Sequence, residues 1–217
     1  RRRVEDAIQR IGGFDRFRVP AALLVIAIHT GPLLSLNGEA NYLLTDILAR
    51  IAVPFFFSVS GWFLVPRLLR EGRAALIPFV KKLLLLYGAA VLLYLPLNLY
   101  NHTLEESGFA LLRDVLFNGT FYHLWYFPAL VLGACLVYGL LRILGPRWAW
   151  LPALLLYAAG LLGDSYFGLT ATLPPLRAGY EALFLLFDYT RNGLFFPPVF
   201  LLLGGWLALR PARRSAA

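Results

Sequence analysis

The chain has 217 residues, of which 59% are hydrophobic and only 15% charged, and its mean hydropathy is +0.68. A soluble domain is about 45–50% apolar and about 25% charged, so this composition excludes an ordinary water-soluble protein. The net charge of +8 does not point to nucleic acid, because the basic residues stand at the ends of long apolar blocks and form no soluble basic face.

The chain contains no Met and opens on Arg1, which points to a fragment of a longer product. Arg1, Arg2 and Arg3 precede a weakly amphipathic stretch (Val4, Ala7, Ile8, Ile11) and then Gly12-Gly13. No cleavable small-residue site follows, so residues 1–13 are expected to be an interfacial segment lying on the membrane. Six apolar spans follow, near Arg18–Leu36, Leu43–Val65, Phe79–Tyr100, Tyr122–Ile143, Trp148–Gly163 and Asn192–Leu209. The expected fold is therefore all-α, a polytopic transmembrane helical bundle, with a membrane domain over 14–209 and a basic tail over 210–217. Cys135 lies inside the fourth span, which excludes an intrachain disulfide and predicts a small buried apolar residue. Tyr42, Trp62, Tyr100, Tyr122 and Trp148 near span ends fit an interfacial aromatic belt.

Alternation of these spans sorts the charges. With the N-terminus inside, the same side receives Arg1, Arg2, Arg3, Arg10, Arg16 and Arg18, then Arg67, Arg70, Arg73, Lys81 and Lys82, then Arg142 and Arg147, then Arg210, Arg213 and Arg214. The other side receives only Arg113, Arg177 and Arg191, so the positive-inside rule places both ends in the cytoplasm of a multi-pass membrane protein. The two longer outer loops, 101–121 and 164–191, each carry a short amphipathic pattern, one after Ser107 and one over Ala178 to Asp188. Their acidic residues, Glu105, Glu106, Asp114, Asp164, Glu181 and Asp188, suit either the roof of a polar cavity or ordinary solvated loops. Asn101-His102-Thr103 and Asn118-Gly119-Thr120 match a glycosylation triplet, a pattern too short to carry weight.

Polar residues inside the spans are the candidates for chemistry, because such groups are costly in a bilayer. Arg18 and His29 are eleven residues apart, close to three helical turns, so they share one face with a rise of about 16 Å. That puts Arg18 at the membrane edge and His29 about halfway through a core roughly 30 Å thick. Arg18 suits topology anchoring or bidentate contact with a phosphate or carboxylate, and His29 suits an interhelical hydrogen bond or proton transfer. In the second span Asp46 and Arg50 are four apart and can pair. Ser58, Ser60 and Gly61 are small enough to let another helix approach, and neither serine lies in a nucleophile-elbow pattern. His123 lies near the outer surface, and Asp188, Arg191 and Asn192 form a polar knot at the outer end of the last span. Three histidines without ligand spacing and one cysteine support no metal site, and there is no phosphate-binding or dinucleotide glycine motif.

Taken in order, Asp15-x-x-Arg18, Arg18-x10-His29, "PFFFSVSGWFL" (54–64), "FYHLWYFPALVLG" (121–133) and "YTRNGLFF" (189–196) resemble the acyltransferase 3 family of integral-membrane acyltransferases. The resemblance runs from about residue 14 to 209. It is strongest to the branch that includes the membrane part of vancomycin-resistance serine racemases and related surface-polysaccharide O-acetyltransferases. It implies a fold of about ten helices, of which the C-terminal third is absent from these six spans. It also implies an acyl-CoA donor, acetyl-CoA in the simplest case, entering from the cytoplasm, no bound cofactor, and a hydroxyl acceptor on a cell-surface or lipid-linked carbohydrate. On that pattern His29 matches the catalytic histidine and Arg18 the paired arginine, which binds the donor or supports catalysis. Arg50 and Ser60-Gly61 fall in the second-helix motif, and Arg50, Ser60, Asp188 and Arg191 are candidates to line the site. A transport module for a small polar substrate such as L-serine is the rival expectation, because the serine branch is associated with uptake. A scaffold for a soluble domain fused downstream is a second rival.

Overall fold

The computed structural model describes residues 12–101, 107–121 and 123–210. The expected interfacial segment over 1–13 and the tail over 210–217 lie almost wholly outside these residues, as do Glu105, Glu106 and most of the first glycosylation triplet. Among the described residues the architecture is all-helical, with no strand. The helices are α1 (Gly12–Thr30), α2 (Gly38–Glu71), α3 (Arg73–Tyr100), α4 (Gly108–Arg113), α5 (Tyr126–Ile143), α6 (Gly145–Trp148), α7 (Trp150–Gly163), α8 (Phe167–Thr170), α9 (Pro174–Leu183) and α10 (Pro197–Leu209).

Three of them, α2, α3 and α5, are long and apolar enough to cross a membrane. The other three expected spans fall short for separate reasons. α1 carries Asp15, Arg16 and Arg18 within its 19 residues. α7 and α10 have 14 and 13 residues, about 20 Å each against a hydrocarbon core of roughly 30 Å. α1 also departs from the expected Arg18–Leu36 at both ends. It begins at Gly12, with Asp15 in the first turn where the helix dipole favours an acid, and it stops at Thr30. Gly31 takes φ +52, a left-handed value that ends a helix, and Pro32 cannot extend one. His29 therefore sits in the last turn of α1 and not midway along a span.

The chain divides into two compact units, 1–66 with 200–217 and 67–199. In the first, α1 packs on residues 43–51 of α2, and Ala21, Ala49, Ala52 and Phe57 are fully buried. α2 loosens into a π-helical turn over Leu43–Leu48 and a 3-10 turn over Ala49–Ile51 before regular α-helix resumes. Phe14 and Phe17 lie edge-on to Phe55 at 6.3 and 4.7 Å. Trp62, expected in an interfacial belt, packs edge-on against Phe14 at 5.1 Å. The expectation of a close helix approach at the small residues is met. A Cβ on Gly61 would strike the backbone of Leu201, and one on Gly204 would strike the backbone of Ser58 and Trp62, so α2 and α10 touch main chain to main chain.

In the second unit α3 packs on α5, with Tyr87 stacked on Phe127 at 5.9 Å. α3 buries only Ala75, Leu83, Tyr87 and Asn98, while Leu85 and Leu93 are three-quarters exposed, as a lipid-facing helix requires. α5 buries the stripe Leu130, Ala134, Val137, Leu141. Cys135 falls outside that stripe and is exposed, so the expectation of a buried thiol does not hold. The segment after α3 is held by two side chains of that helix: Tyr87 donates to the Val115 carbonyl at 3.0 Å and Asn98 to the Thr120 carbonyl at 2.9 Å. Ser107 caps α4, its Oγ accepting from Ala110 N–H at 3.1 Å. Gly119 is required twice over, by φ +82 and by its contact with the Trp125 backbone.

Candidate functional site

Arg18 and His29 stand on one uninterrupted helix, α1, eleven residues and about 16 Å apart along its axis. Both side chains are exposed in their unit. Among the described residues the Arg18 guanidinium meets Asp15 Oδ1 at 3.2 Å, with both side chains 48% exposed. A pair so exposed holds its partners weakly, typically by about 0–1 kcal/mol. The guanidinium thus keeps donors for a phosphate or carboxylate. His29 precedes the Gly31 break, where the last carbonyls of α1 concentrate partial negative charge.

The residues of α2 resolve differently. Arg50 Nη2 meets Asp46 Oδ1 at 3.2 Å, the i,i+4 pair that the spacing predicts, and Thr45 Oγ1 donates to the other carboxylate oxygen at 2.9 Å. Ser60 Oγ donates to the Phe56 carbonyl at 2.9 Å, a bond within its own helix that gives the hydroxyl no base. Gly61 works through packing on α10.

In the second unit the polar knot expected over 188–192 does not form, because its three members turn to different partners. Asp188 receives Arg113 Nη2 on Oδ1 at 3.0 Å and Asn118 Nδ2 on Oδ2 at 2.6 Å. Arg191 pairs through Nε with Asp164 at 3.2 Å. Asn192 is fully buried and folds its own loop, donating to the Tyr189 carbonyl and accepting from Leu194 N–H. The Asn118 amide also donates to Asp114 Oδ1 at 2.8 Å, and Tyr189 Oη donates to the Asn118 carbonyl at 3.1 Å. Burial pushes the Tyr189 phenol up to about 12, a rise that the Arg191 charge opposes and the nearby carboxylates support. The loop after α3 and the loop after α9 are thereby tied together.

Arg113 and Asn118 are the members of this network that the sequence did not single out. Asn118 stood there only as a glycosylation triplet. It is 6% exposed with its amide committed to two carboxylates, which removes it as a modification acceptor. The His123 ring lies edge-on to Tyr94 at 4.7 Å and to Phe121 at 5.1 Å, an aromatic setting that needs no catalytic account. Among the described residues no three His, Cys, Asp or Glu side chains gather as a metal site.

Comparison with known proteins adds an independent line. The family model described as "Acyltransferase domain", of the acyltransferase 3 family, matches residues 11–217. An amino-acid racemase of Enterococcus faecalis is 45% identical over 203 residues, covering 93% of this chain and 28% of the relative. A serine/alanine racemase of Enterococcus gallinarum is 43% identical over 213 residues, covering 94% of this chain and 30% of the relative. The chain thus spans under a third of the length of these relatives. No solved structure matches. The match across nearly the whole chain, on an all-helical fold with membrane-spanning helices, shows that this protein belongs to the acyltransferase 3 family of membrane proteins.

Proposed function

We propose that the chain is the donor-binding part of a membrane acyltransferase that moves an acyl group, acetyl in the simplest case, from acyl-CoA to a hydroxyl of a cell-surface or lipid-linked carbohydrate. The observation that carries this reading is the pairing of Arg18 and His29 on one face of α1. A cation and a titratable ring, separated by three helical turns, suit a long donor with phosphates at one end and a reacting thioester at the other. Arg18 would bind the donor's phosphates. His29 would take the acceptor's hydroxyl proton as its oxygen attacks the thioester carbon. The carbon–sulfur bond then breaks, and the proton passes to the leaving thiolate to give free CoA. Arg50, Ser60, Asp188 and Arg191 are proposed at most to line the site. The basic residues at alternate loops support a cytoplasmic N-terminus, on the side where acyl-CoA is found.

The test is acyl transfer from radiolabelled acetyl-CoA to a membrane glycan fraction by the full-length protein. His29→Ala is expected to abolish transfer without loss of folded protein, and transfer at the native rate would refute the assignment. A second reading has its own support, since the two relatives are named for amino-acid substrates. Uptake of labelled L-serine into vesicles without any acyl donor would favour transport over transfer.

A further inference from the structure

We propose that the segment carrying α8 and α9, residues 165–187, is seated in the hydrocarbon of the leaflet opposite Trp148, and that its partner is the lipid acyl chains of that leaflet. The inference needs no acyltransferase chemistry, and all of its residues lie within one compact unit. It starts from a shortfall of length. Arg147 and Trp148 mark one membrane edge, with the guanidinium 5.7 Å from the centre of the indole ring. From Trp148 to Gly163 the chain carries no charge and rises about 23 Å, against a core of roughly 30 Å. Either the far end of α7 stops roughly 7 Å inside the hydrocarbon, or the bilayer thins to meet it.

The way the helix end is finished decides between the two. A helix leaves its last carbonyls without partners, and in water the solvent serves them. Here the following segment serves them. Tyr180 Oη donates to the Ala159 carbonyl at 2.6 Å, Thr190 Oγ1 to that of Gly160 at 2.7 Å and Thr170 Oγ1 to that of Leu162 at 2.8 Å. The Tyr166 N–H donates to the Leu161 carbonyl at 2.8 Å. Tyr180, Thr170 and Thr190 are 7%, 1% and 0% exposed. The end of α7 is thus closed without water, which hydrocarbon demands and a solvated loop does not. Ala159 precedes Gly163 by about 6 Å, so Tyr180 holds α9 beside the last turn of α7. Gly163 makes the room, since a Cβ there would stand 2.5 Å from Thr190 Cγ2 and 2.6 Å from the Tyr180 ring.

The charges and the outer surface agree with this depth. Residues 165–176 carry no charge. Beyond them Arg177 pairs with Glu181 at 2.7 Å, Asp188 with Arg113 at 3.0 Å and Arg191 with Asp164 at 3.2 Å. Every charge from Asp164 to Arg191 therefore has an opposite partner, as a group taken towards lipid requires. What the segment turns outward is apolar, with Leu169 and Leu173 66% and 51% exposed. Thr170 fastens this stretch to Leu162, so exposed Leu169 adjoins the exposed end of the apolar run of α7. An apolar surface that continues a membrane helix is covered by the same acyl chains.

Nitroxide labels on the full-length protein in liposomes test the depth. Leu169→Cys and Leu173→Cys are labelled separately on a background without other reactive cysteines, and Leu85→Cys on lipid-facing α3 is the reference. Collision with oxygen, which enters hydrocarbon, is measured against collision with a polar nickel complex, which does not. At both positions the oxygen-to-nickel ratio is expected to match that at Leu85. It should exceed that of a free nitroxide in the same buffer by about tenfold or more, because hydrocarbon expels polar solutes. Each label reads independently, so one folded variant suffices. A ratio equal to that of the free nitroxide would make the segment a solvated loop and overturn the proposal. A label shielded from both colliders would put protein in place of lipid and overturn it as well. Acyl transfer plays no part in the readout, so the fate of the His29 assignment leaves this result untouched.

Discussion

Two glycines in apolar helices should respond to the same substitution with opposite signs. Alanine is favoured over glycine in a helix interior by about 1 kcal/mol. At Gly88, on α3, an added Cβ meets nothing within 4 Å, so Gly88→Ala should gain that amount. At Gly61 the new Cβ would stand 2.6 Å from Leu201 Cα and carbonyl carbon and nearer still to the carbonyl oxygen, where ordinary contact begins at 3.4 Å. The obstacle is main chain, so no rotamer change relieves it. α10 is also hemmed in there, with Leu201 fully buried and Leu202 3% exposed. Overpacking of this kind costs about 1–3 kcal/mol, and a backbone obstacle belongs at the upper end. Net of the helix gain, Gly61→Ala should lose roughly 2 kcal/mol. For a chain of this length 1 kcal/mol moves a melting temperature by about 2–4 °C. Thermal unfolding of detergent-solubilised protein should therefore show Gly88→Ala melting above the native chain and Gly61→Ala below it. If both variants rise together, the close approach of α2 and α10 is wrong.

Ser60→Ala should leave acyl transfer nearly intact, because the hydroxyl is spent on the Phe56 carbonyl of its own helix; loss of transfer would make the serine a participant in the chemistry. Tyr189 supplies a pH prediction. Its folded-state phenol is raised to about 12 from an ordinary value near 10, so the stability it contributes is whole below about pH 10 and lost as pH rises through about 12. Tyr189→Phe should remove a phenolate that appears late in an alkaline absorbance titration, and an unchanged curve would contradict the burial assigned to it.

What was legible in the sequence was local. Phe79–Tyr100 and Trp148–Gly163 lie close to α3 and α7 because an unbroken apolar run is itself the signal. Asp46 and Arg50 pair as their spacing requires, since i,i+4 contacts need only the helix. The end of α1 was misplaced because hydropathy continues through Leu33, Leu34 and Leu36, and it outweighed the Gly31-Pro32 pair that stops the helix. The partners of Asp188 were not legible for a different reason. Arg113 and Asn118 lie some 70 residues away, and only folding of the two loops brings them within bonding distance. Asp188, Arg191 and Asn192 are neighbours in sequence, yet their side chains serve three separate structures.

The two polar constellations also differ in how firmly they are held, and that difference bears on what each is suited to do. Arg18 is restrained by one half-exposed carboxylate three residues away, a contact of small energy that a competing anion can displace. Such looseness suits a cation that exchanges one anionic partner for another. Asp188 is restrained on both oxygens, one of them by an amide that is itself 94% buried and shared with a second carboxylate. The cost falls on the fold. Removing Asn118 would leave two carboxylates without their shared donor, a penalty of about 1–3 kcal/mol. A purely structural loop tie could use apolar contacts at lower risk, as Phe117 and Phe187 already do beside it. A charged tie of this kind makes the join depend on Arg113, Asn118 and Asp188 together, because losing one partner strands the others.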